Sequence, residues 1–306
     1  MQETRIRVLK RLAEGPVSGP ALADRLDISR AAVWKHVEAL REAGFEIPSG
    51  DDGYELGSVP EFGPAVAFGL EAPFDVVYHD SIDSTNRRAR ELAAEGRSNV
   101  AVVADEQTGG RGRLDRTWAS PSGGVWLSTL VRPGVPAAHA PLYTLAAAVA
   151  TTRAVRETGV EAGIKWPNDV LVDGRKLAGI LTEMEGEADR VAWLVAGVGV
   201  NVDIDPAGLP TEDATSLRAE GVNVDRRLLT QRLLEGFHAL HESHETILPA
   251  WREYADTLGR RVRVETGNRT IEGEATGIEF PGALRVDTGG TVETVAAGDC
   301  EHLRPA

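Results

Sequence analysis

Residues 104–128 of this 306-residue chain, ADEQTGGRGRLDRTWASPSGGVWLS, carry its densest set of candidate functional residues. After a predicted strand, three glycines alternate with two arginines in GGRGR, residues 109–113. Glycine lets a backbone approach a ligand closely, and two guanidinium groups on a mobile loop can clamp a carboxylate and a phosphate. Neither GxGxxG nor GxxxxGKS/T occurs, so a dinucleotide-binding loop and a P-loop are excluded. A flexible, solvated arginine turn is the alternative interpretation.

The segments around this loop predict an α+β body with one mixed sheet over residues 74–257. Several apolar runs lack polar alternation, which is typical of strands buried on both faces. The predicted strands are FDVVYHD, NVAVVADE, GVWLSTLVRP, KLAGILTEME and VAWLVAGVGVNV. The predicted helices are NRRARELAAEG, LYTLAAAVATTRAVRETG and one long run over residues 225–258.

Three polar motifs accompany the glycine-rich loop. DSIDSTN sets Ser84, Thr85 and Asn86 at the cap of a predicted helix, where free amides and polar side chains can bind a small polar group. KWPNDVLVDGRKLAGIL and GVGVNVD carry the remaining candidates, which are Asn168, Asp169, Lys176 and Asn201. Core packing is an alternative role for Trp118 of the loop, and turn capping is an alternative role for Asp169.

The predicted secondary structure at both ends of the chain differs from that of the central α+β body. Residues 258–306 predict short strands divided by glycine, which suits a small SH3-like β-barrel. Residues 1–57 predict three helices and a short hairpin, and the Gly- and Pro-rich residues 58–73 predict a linker.

The N-terminal pattern favours a winged helix-turn-helix. Ser29 is placed to cap the recognition helix, which would present Arg30, Lys35 and His36 outward, and Gly53-Tyr54 would close the wing. Residues 1–56 hold eight Lys/Arg and ten Asp/Glu, so DNA binding would rest on a local cationic face and weaken with salt. A three-helix protein-interaction module is the alternative.

The amino-acid composition argues against several kinds of binding partner, metal site and cellular location. A formal charge of −14 argues against wholesale electrostatic binding to DNA or anionic lipid. A single cysteine, Cys300, excludes an internal disulfide and a cysteine-based metal cluster, and no apolar run is long enough to cross a membrane. With no secretory signal, these features predict a cytoplasmic protein. His238, His241 and His244 are interpreted as a surface stripe, so no metal site is predicted.

In combination, the motifs resemble those of the biotin–protein ligase family. The resemblance rests on DSTN, DEQTGGRGRLDRTW, GVWLS, KWPNDV, KLAGIL and GVGVN. SRAAVWKHVEALREAGFEI with GYEL is similar to the DNA-binding arm of the bifunctional members, the biotin-operon repressors. The likeness covers nearly the whole chain, whereas the C-terminal barrel matches by position and size only.

The resemblance implies a two-step reaction with biotin and ATP as substrates and Mg²⁺ as cofactor. Biotin is adenylated to biotinyl-5'-AMP and is then transferred to a lysine of a biotin carboxyl carrier domain. It also implies operator DNA as a second partner. Exposed strands beside the glycine-rich loop predict a homodimer that ligand binding could induce. The alternatives are a ligase whose helix-turn-helix does not bind DNA, and a biotin-sensing transcription factor without catalysis.

The same resemblance assigns roles by motif. The catalytic cations are Lys176, Arg111 and Arg113. The biotin-binding residues are Ser84, Thr85, Asn86, Gln107, Gly110, Arg111, Gly112, Arg113 and Lys176. The nucleotide-binding residues are Arg111, Trp118, Asn168, Lys176 and Asn201. The DNA-binding residues are Ser29, Arg30, Lys35 and His36.

Overall fold

The computed structural model of the protein describes residues 2–209 and 211–303. The helices are α1 (Glu3–Ala13), α2 (Gly19–Leu26), α3 (Arg30–Glu42), α4 (Thr85–Ala94), α5 (Pro141–Arg156), α6 (Arg226–Glu242) and α7 (Ile247–Tyr254). The strands are β1 (Ser49–Gly50), β2 (Gly53–Tyr54), β3 (Asp75–Ile82), β4 (Val100–Gln107), β5 (Val125–Val131), β6 (Gly163–Lys165), β7 (Asp169–Val172), β8 (Arg175–Glu187), β9 (Arg190–Val200), β10 (Arg261–Glu265), β11 (Thr270–Glu279), β12 (Ala283–Asp287), β13 (Val292–Val295) and β14 (Asp299–His302). No described helix has both the length and the apolar composition needed to cross a membrane.

The N-terminal helices form a winged helix-turn-helix with its own core. The Ser18 hydroxyl accepts a hydrogen bond from the Ala21 amide at the start of α2, and Ser29 does the same for Ala32 at the start of α3. These caps satisfy amides that have no partner within the helix. Between the two helices Asp27 adopts left-handed backbone angles, which ends α2. The hairpin β1–β2 is the wing, as the sequence predicts.

The central body is a seven-stranded mixed sheet in the order β3-β4-β5-β9-β8-β7-β6. Only the β3–β4 pair is parallel. Val100 and Val102 of β4 pack with α4 on one face, whereas Ala101 and Val103 belong to the larger core on the other. Because both faces are covered, the buried stretches of β4 and β9 are apolar and show no polar alternation.

The predicted linker is packed more closely than its glycine and proline content suggests. Residues Gly63–Ala67 form a 3₁₀ helix in which Ala65 and Val66 are fully buried. The Gln231 side chain of α6 donates hydrogen bonds to the carbonyls of Val66 and Phe68. The segment packs against both cores, since Val66 and Ala67 belong to the core of the central body and Ala65 belongs to that of the helix-turn-helix.

The single long helix predicted over residues 225–258 is wrong. The backbone breaks at Ser243, which has φ −133° and ψ 68°, so α6 and α7 are separate helices joined by a 3₁₀ turn. Apolar periodicity continues across the break because both helices bury one face, and this hides the break from the sequence pattern. The predicted surface histidine stripe is also wrong, because the His241 side chain is only 10 % exposed.

The C-terminal unit is an antiparallel five-stranded sheet in the order β13-β12-β11-β10-β14, which agrees with the predicted small SH3-like barrel. Its last strand meets the central body at His302, whose Nε2 lies 3.0 Å from Thr257 Oγ1. Burial lowers the pKa of His302 to about 4, and the neighbouring Asp256 opposes that shift.

This burial predicts an acid-sensitive attachment of the barrel. In the unfolded chain the histidine pKa is 6.5, so between pH 6.5 and about 4 only the unfolded state is protonated. Stability is therefore lost as the pH falls through this window. Urea unfolding at pH 7 and pH 4.5 is expected to show a smaller pH-dependent loss for His302→Gln than for the unmodified protein. Equal losses in the two proteins would contradict this.

Candidate active site

The predicted motifs meet at one region of the central sheet. The parallel strands β3 and β4 end at the same edge, β5 begins there, and β9 ends beside the start of β8. Above this region lies a cavity of about 320 Å³. Ten of the predicted ligand-binding residues line it, namely Ser84, Thr85, Asn86, Gln107, Arg111, Gly112, Arg113, Trp118, Asn168 and Lys176.

Glycines form the floor of this cavity. Gly197 and Gly199 lie on the α4-facing side of β9, and Gly199 is paired with Gly179 of β8. A Cβ at Gly199 would lie 2.6 Å from the indole nitrogen of Trp118, and a Cβ at Gly197 would overlap the Asn86 amide. The missing side chains leave space for both residues to lie directly on the sheet.

Hydrogen bonds order the hydroxyl and amide end of the cavity. The amide and the hydroxyl of Thr85 donate to Gln107 Oε1 over 2.8 and 3.0 Å. Gln107 Nε2 in turn donates to Ser120 Oγ over 3.0 Å. Ser84 caps α4, with its hydroxyl 3.4 Å from the Arg87 amide. A preformed set of hydroxyl and amide groups therefore lines this end.

The side chain of Asn86 is held from three sides. Its Oδ1 lies 2.6 Å from the Ser128 hydroxyl, and its Nδ2 donates to Glu183 over 2.7 Å and to the Leu181 carbonyl over 3.3 Å. Ser128 and Glu183, which bind Asn86, and Ser120, which binds Gln107, were not predicted from the sequence. The signal was present for Ser128, because a hydroxyl inside a fully buried strand needs a buried hydrogen-bond partner.

The arginine loop, which is the glycine-rich loop of residues 109–118 with Arg111, Arg113 and Arg116, closes the opposite end of the cavity. Arg113 donates from Nη1 to Asn168 Oδ1 over 2.8 Å and from Nη2 to the Gly298 carbonyl over 2.7 Å. Arg116 forms an ion pair with Asp299 over 2.6 Å. Arg111 is exposed at the cavity rim. The barrel therefore supplies two of the groups that hold the loop.

Lys176 stands between a carboxylate and an aromatic ring. Its Nζ lies 2.7 Å from Asp169 Oδ1 and 5.0 Å from the centre of the Trp118 ring. Asp169 is also 3.6 Å from Lys165. Trp118 Nε1 is buried and has no hydrogen-bond partner among the described residues. Trp118 lines the cavity, and its Nε1 lies against Gly199 of the cavity floor.

Two predicted residues lie outside this cavity. Asn201 lines a second, larger cavity of about 1070 Å³ between the central body and the barrel, and its side chain donates to the Thr215 carbonyl over 2.9 Å. Lys176 and Trp118 line both cavities. Gly110 is packed beneath the loop, where a Cβ would lie 2.6 Å from Ser120 Oγ.

The helix-turn-helix presents most of its predicted contact residues. Ser29, Arg30 and Lys35 are exposed on α3, and so is Trp34, which is 59 % exposed. His36 differs from the prediction because it is half-buried and its Nδ1 has no hydrogen-bond partner among the described residues. Burial and the nearby Arg5 lower the pKa of His36.

Comparison with known proteins agrees with this arrangement. Residues 78–201 match the Biotin/lipoate A/B protein ligase family, residues 257–303 match the Biotin protein ligase C terminal domain, and residues 4–55 match an HTH domain. The chain is 39% identical over 305 residues to the bifunctional ligase/repressor BirA of Bacillus subtilis, with 93% of each chain covered. The chain belongs to the biotin protein ligase family.

Two further comparisons place the domains within this family. The chain is 30% identical over 308 residues to the bifunctional ligase/repressor BirA of Escherichia coli, covering 96% of this chain and 95% of that one. A biotin protein ligase from Aquifex aeolicus, solved in complex with biotin and ATP, superimposes with a TM-score of 0.63 and 26% identity. That match covers 75% of this chain and 99% of the other. The fold and domain order predicted from the sequence are thereby confirmed.

Proposed function

We propose that this protein is an ATP-dependent biotin ligase that also binds operator DNA through its winged helix-turn-helix. The observation that carries the enzymatic proposal is the 320 Å³ cavity, which has hydroxyl and amide groups beside the Arg90–Glu183 ion pair at one end and Lys176, Arg111 and Arg113 at the other. Biotin has the matching polarity, with a neutral ureido ring at one end and a carboxylate at the other.

The hydroxyl and amide end is assigned to biotin. Ser84, Thr85, Asn86 and Gln107 offer hydroxyl and amide groups that can bind the ureido ring and the side chain of biotin. Gly110 and Gly112 let the loop backbone pass close to the ligand.

In the first step a biotin carboxylate oxygen attacks the α-phosphorus of ATP, and pyrophosphate leaves. Negative charge on the α-phosphate grows as the bond forms, so nearby fixed cations lower the barrier most when water is excluded. Lys176, Arg111 and Arg113 are the cations at this end of the cavity. To contact the phosphate, Lys176 must give up its ion pair with Asp169. To contact an anion, Arg113 must give up its hydrogen bond to the Gly298 carbonyl.

The second cavity is assigned to the nucleotide. Trp118 and Lys176 line both cavities, Asn168 lines the first, and Asn201 lines the second. Carboxylate oxygens of Asp169 and Asp299, which line both cavities, suit Mg²⁺. The ion would neutralise charge on the phosphates of the bound nucleotide.

In the second step the amine of a carrier-domain lysine attacks the acyl carbon of the biotinyl-adenylate. An amide bond forms and AMP leaves. The loop over residues 109–113 covers the cavity and keeps water from the mixed anhydride until the carrier arrives.

Adenylation and transfer can be tested with the purified protein, biotin, MgATP and a biotin carboxyl carrier domain. The proposal expects pyrophosphate release that depends on biotin, followed by a mass increase on one carrier lysine. Failure of both reactions at every salt concentration would overturn it. That outcome would favour the biotin-sensing transcription factor without catalysis.

The DNA proposal rests on the exposed face of α3. Lys35→Ala is expected to reduce the salt dependence of DNA affinity by one phosphate contact, a change in slope of about 0.9 in a plot of log affinity against log salt concentration. The probe is a duplex selected by the protein from a random library in the presence of biotin and ATP. Lys10→Ala, an exposed lysine of α1, serves as the control. If no duplex is enriched, the helix-turn-helix only packs or dimerises.

A homodimer is the proposed oligomeric state, and ligand binding is proposed to favour it. Sedimentation with and without biotin and ATP tests this. The cytoplasmic location stays a prediction from the single cysteine.

A further inference from the structure

The C-terminal end of α6 carries a histidine cluster that takes no part in the proposed reaction. His238 Nδ1 lies 3.4 Å from His241 Nε2, and His241 Nε2 lies 3.5 Å from Glu242 Oε1. All three potential ligand atoms lie within 4.8 Å of one another. None of these residues lines either cavity of the candidate active site.

We propose that His238, His241 and Glu242 bind a zinc ion. Two nitrogen ligands about 2.0 Å from a tetrahedral zinc ion are about 3.3 Å apart, which is close to the observed 3.4 Å. The Glu242 carboxylate lies at nearly the same distance from His241, and the three ligand atoms all lie within 4.8 Å of one another. Two imidazoles and one carboxylate form a donor set that suits Zn²⁺.

The surrounding groups hold the central ligand in place. The His241 ring is 10 % exposed and lies between the rings of Phe237 and Tyr143, at centroid distances of 5.6 and 6.5 Å. His244 is engaged elsewhere, since its Nε2 lies 2.8 Å from the Tyr143 hydroxyl. The cluster therefore needs little rearrangement to receive an ion, and His244 stays outside it.

The position on the helix also favours a cation. The cluster lies in the last turn of α6, which ends at Glu242. The last carbonyls of a helix have no partner within it and give this end a partial negative charge. Glu242 adds a full negative charge. All three ligands lie on α6, so a bound ion would stabilise the last turn of this helix just before the backbone turns at Ser243.

The test is calorimetric titration of the full-length, chelator-treated protein with ZnCl₂. One equivalent is expected to bind, and His241→Gln should weaken binding by at least the roughly 100-fold that even a supporting residue of a metal site can contribute. His238→Gln should act in the same direction. His139→Gln, a histidine outside the cluster, is the matched control and should leave the affinity unchanged.

The visible absorption spectrum of the Co²⁺-substituted protein reports the coordination geometry of the site. Co²⁺ bound in place of zinc is expected to give the intense visible absorption of a four-coordinate site, and His241→Gln should remove it. Zn²⁺ should also raise the melting temperature of the unmodified protein and not that of the variant. The proposal is overturned if the unmodified protein binds no stoichiometric zinc, or if binding survives in the His238→Gln/His241→Gln double variant. Biotin adenylation is read in parallel, so failure here is distinguishable from failure of the ligase proposal.

Discussion

Replacement of Lys176 by alanine is expected to slow biotin adenylation by roughly 10²–10³-fold, the scale for loss of one preorganised charged donor. The ammonium group of Lys176 lines both cavities, so it lies where the carboxylate and the α-phosphate would meet. Alanine leaves Asp169 with only Lys165 at 3.6 Å, so the local charge becomes more negative where an anion must bind. The measurement is the single-turnover rate of biotinyl-adenylate formation at saturating biotin and MgATP.

The control for this experiment is Lys10→Ala. The chain has only four lysines, and Lys10 is exposed on α1, far along the chain from the candidate active site. It should leave the rate unchanged. Melting curves of both variants check that the fold is retained. Adenylation by Lys176→Ala at the rate of the unmodified protein would show that this ammonium group does not stabilise the transition state.

A methyl group added at Gly197 is expected to weaken biotin binding by roughly 5–160-fold. The new Cβ would overlap the Asn86 amide, and this amide cannot move easily because Ser128, Glu183 and the Leu181 carbonyl hold it. Overpacking of this kind costs about 1–3 kcal/mol, which corresponds to the stated change in affinity. Calorimetric titration of Gly197→Ala with biotin measures it.

Gly267→Ala is the matched control, since a Cβ there meets nothing within 4 Å. It introduces the same methyl group and should leave the biotin affinity unchanged. If Gly197→Ala binds biotin normally while its fold is intact, the network around Asn86 is not part of the biotin site, and the assignment of the hydroxyl and amide end must be abandoned.

The local sequence pattern was sufficient to predict several helices and strands. Ser29 caps its helix as predicted, because capping depends on residues only three positions apart. The main strands β3, β4, β5, β8 and β9 were also identified. Burial on both faces explains the apolar runs of β4, β5 and β9, whereas β3 and β8 are partly exposed. The helix break at Ser243 was not found, because apolar periodicity continues across it.

Some features of the candidate site were likewise visible in the sequence, and others became visible only in the structure. The motifs were visible in sequence, and most of their residues line one cavity. Sequence did not reveal that Arg113 contacts Asn168 and the Gly298 carbonyl, because these partners are 55 and 185 positions away. The half-buried state of His36 and the position of Asn201 in the second cavity also depend on packing between distant segments.

The sequence by itself determined the domain order, the capped helices, the buried strands and the residue types that can bind a small anion and a neutral polar ring. Only the tertiary structure decided which of those residues share a cavity, that glycines form its floor, and that the barrel holds the arginine loop. The physical reason is the sheet order, in which β5 pairs with β9 and strands far apart in sequence become neighbours. Local patterns record propensity and burial, whereas contacts between distant strands arise from the packing of the whole chain.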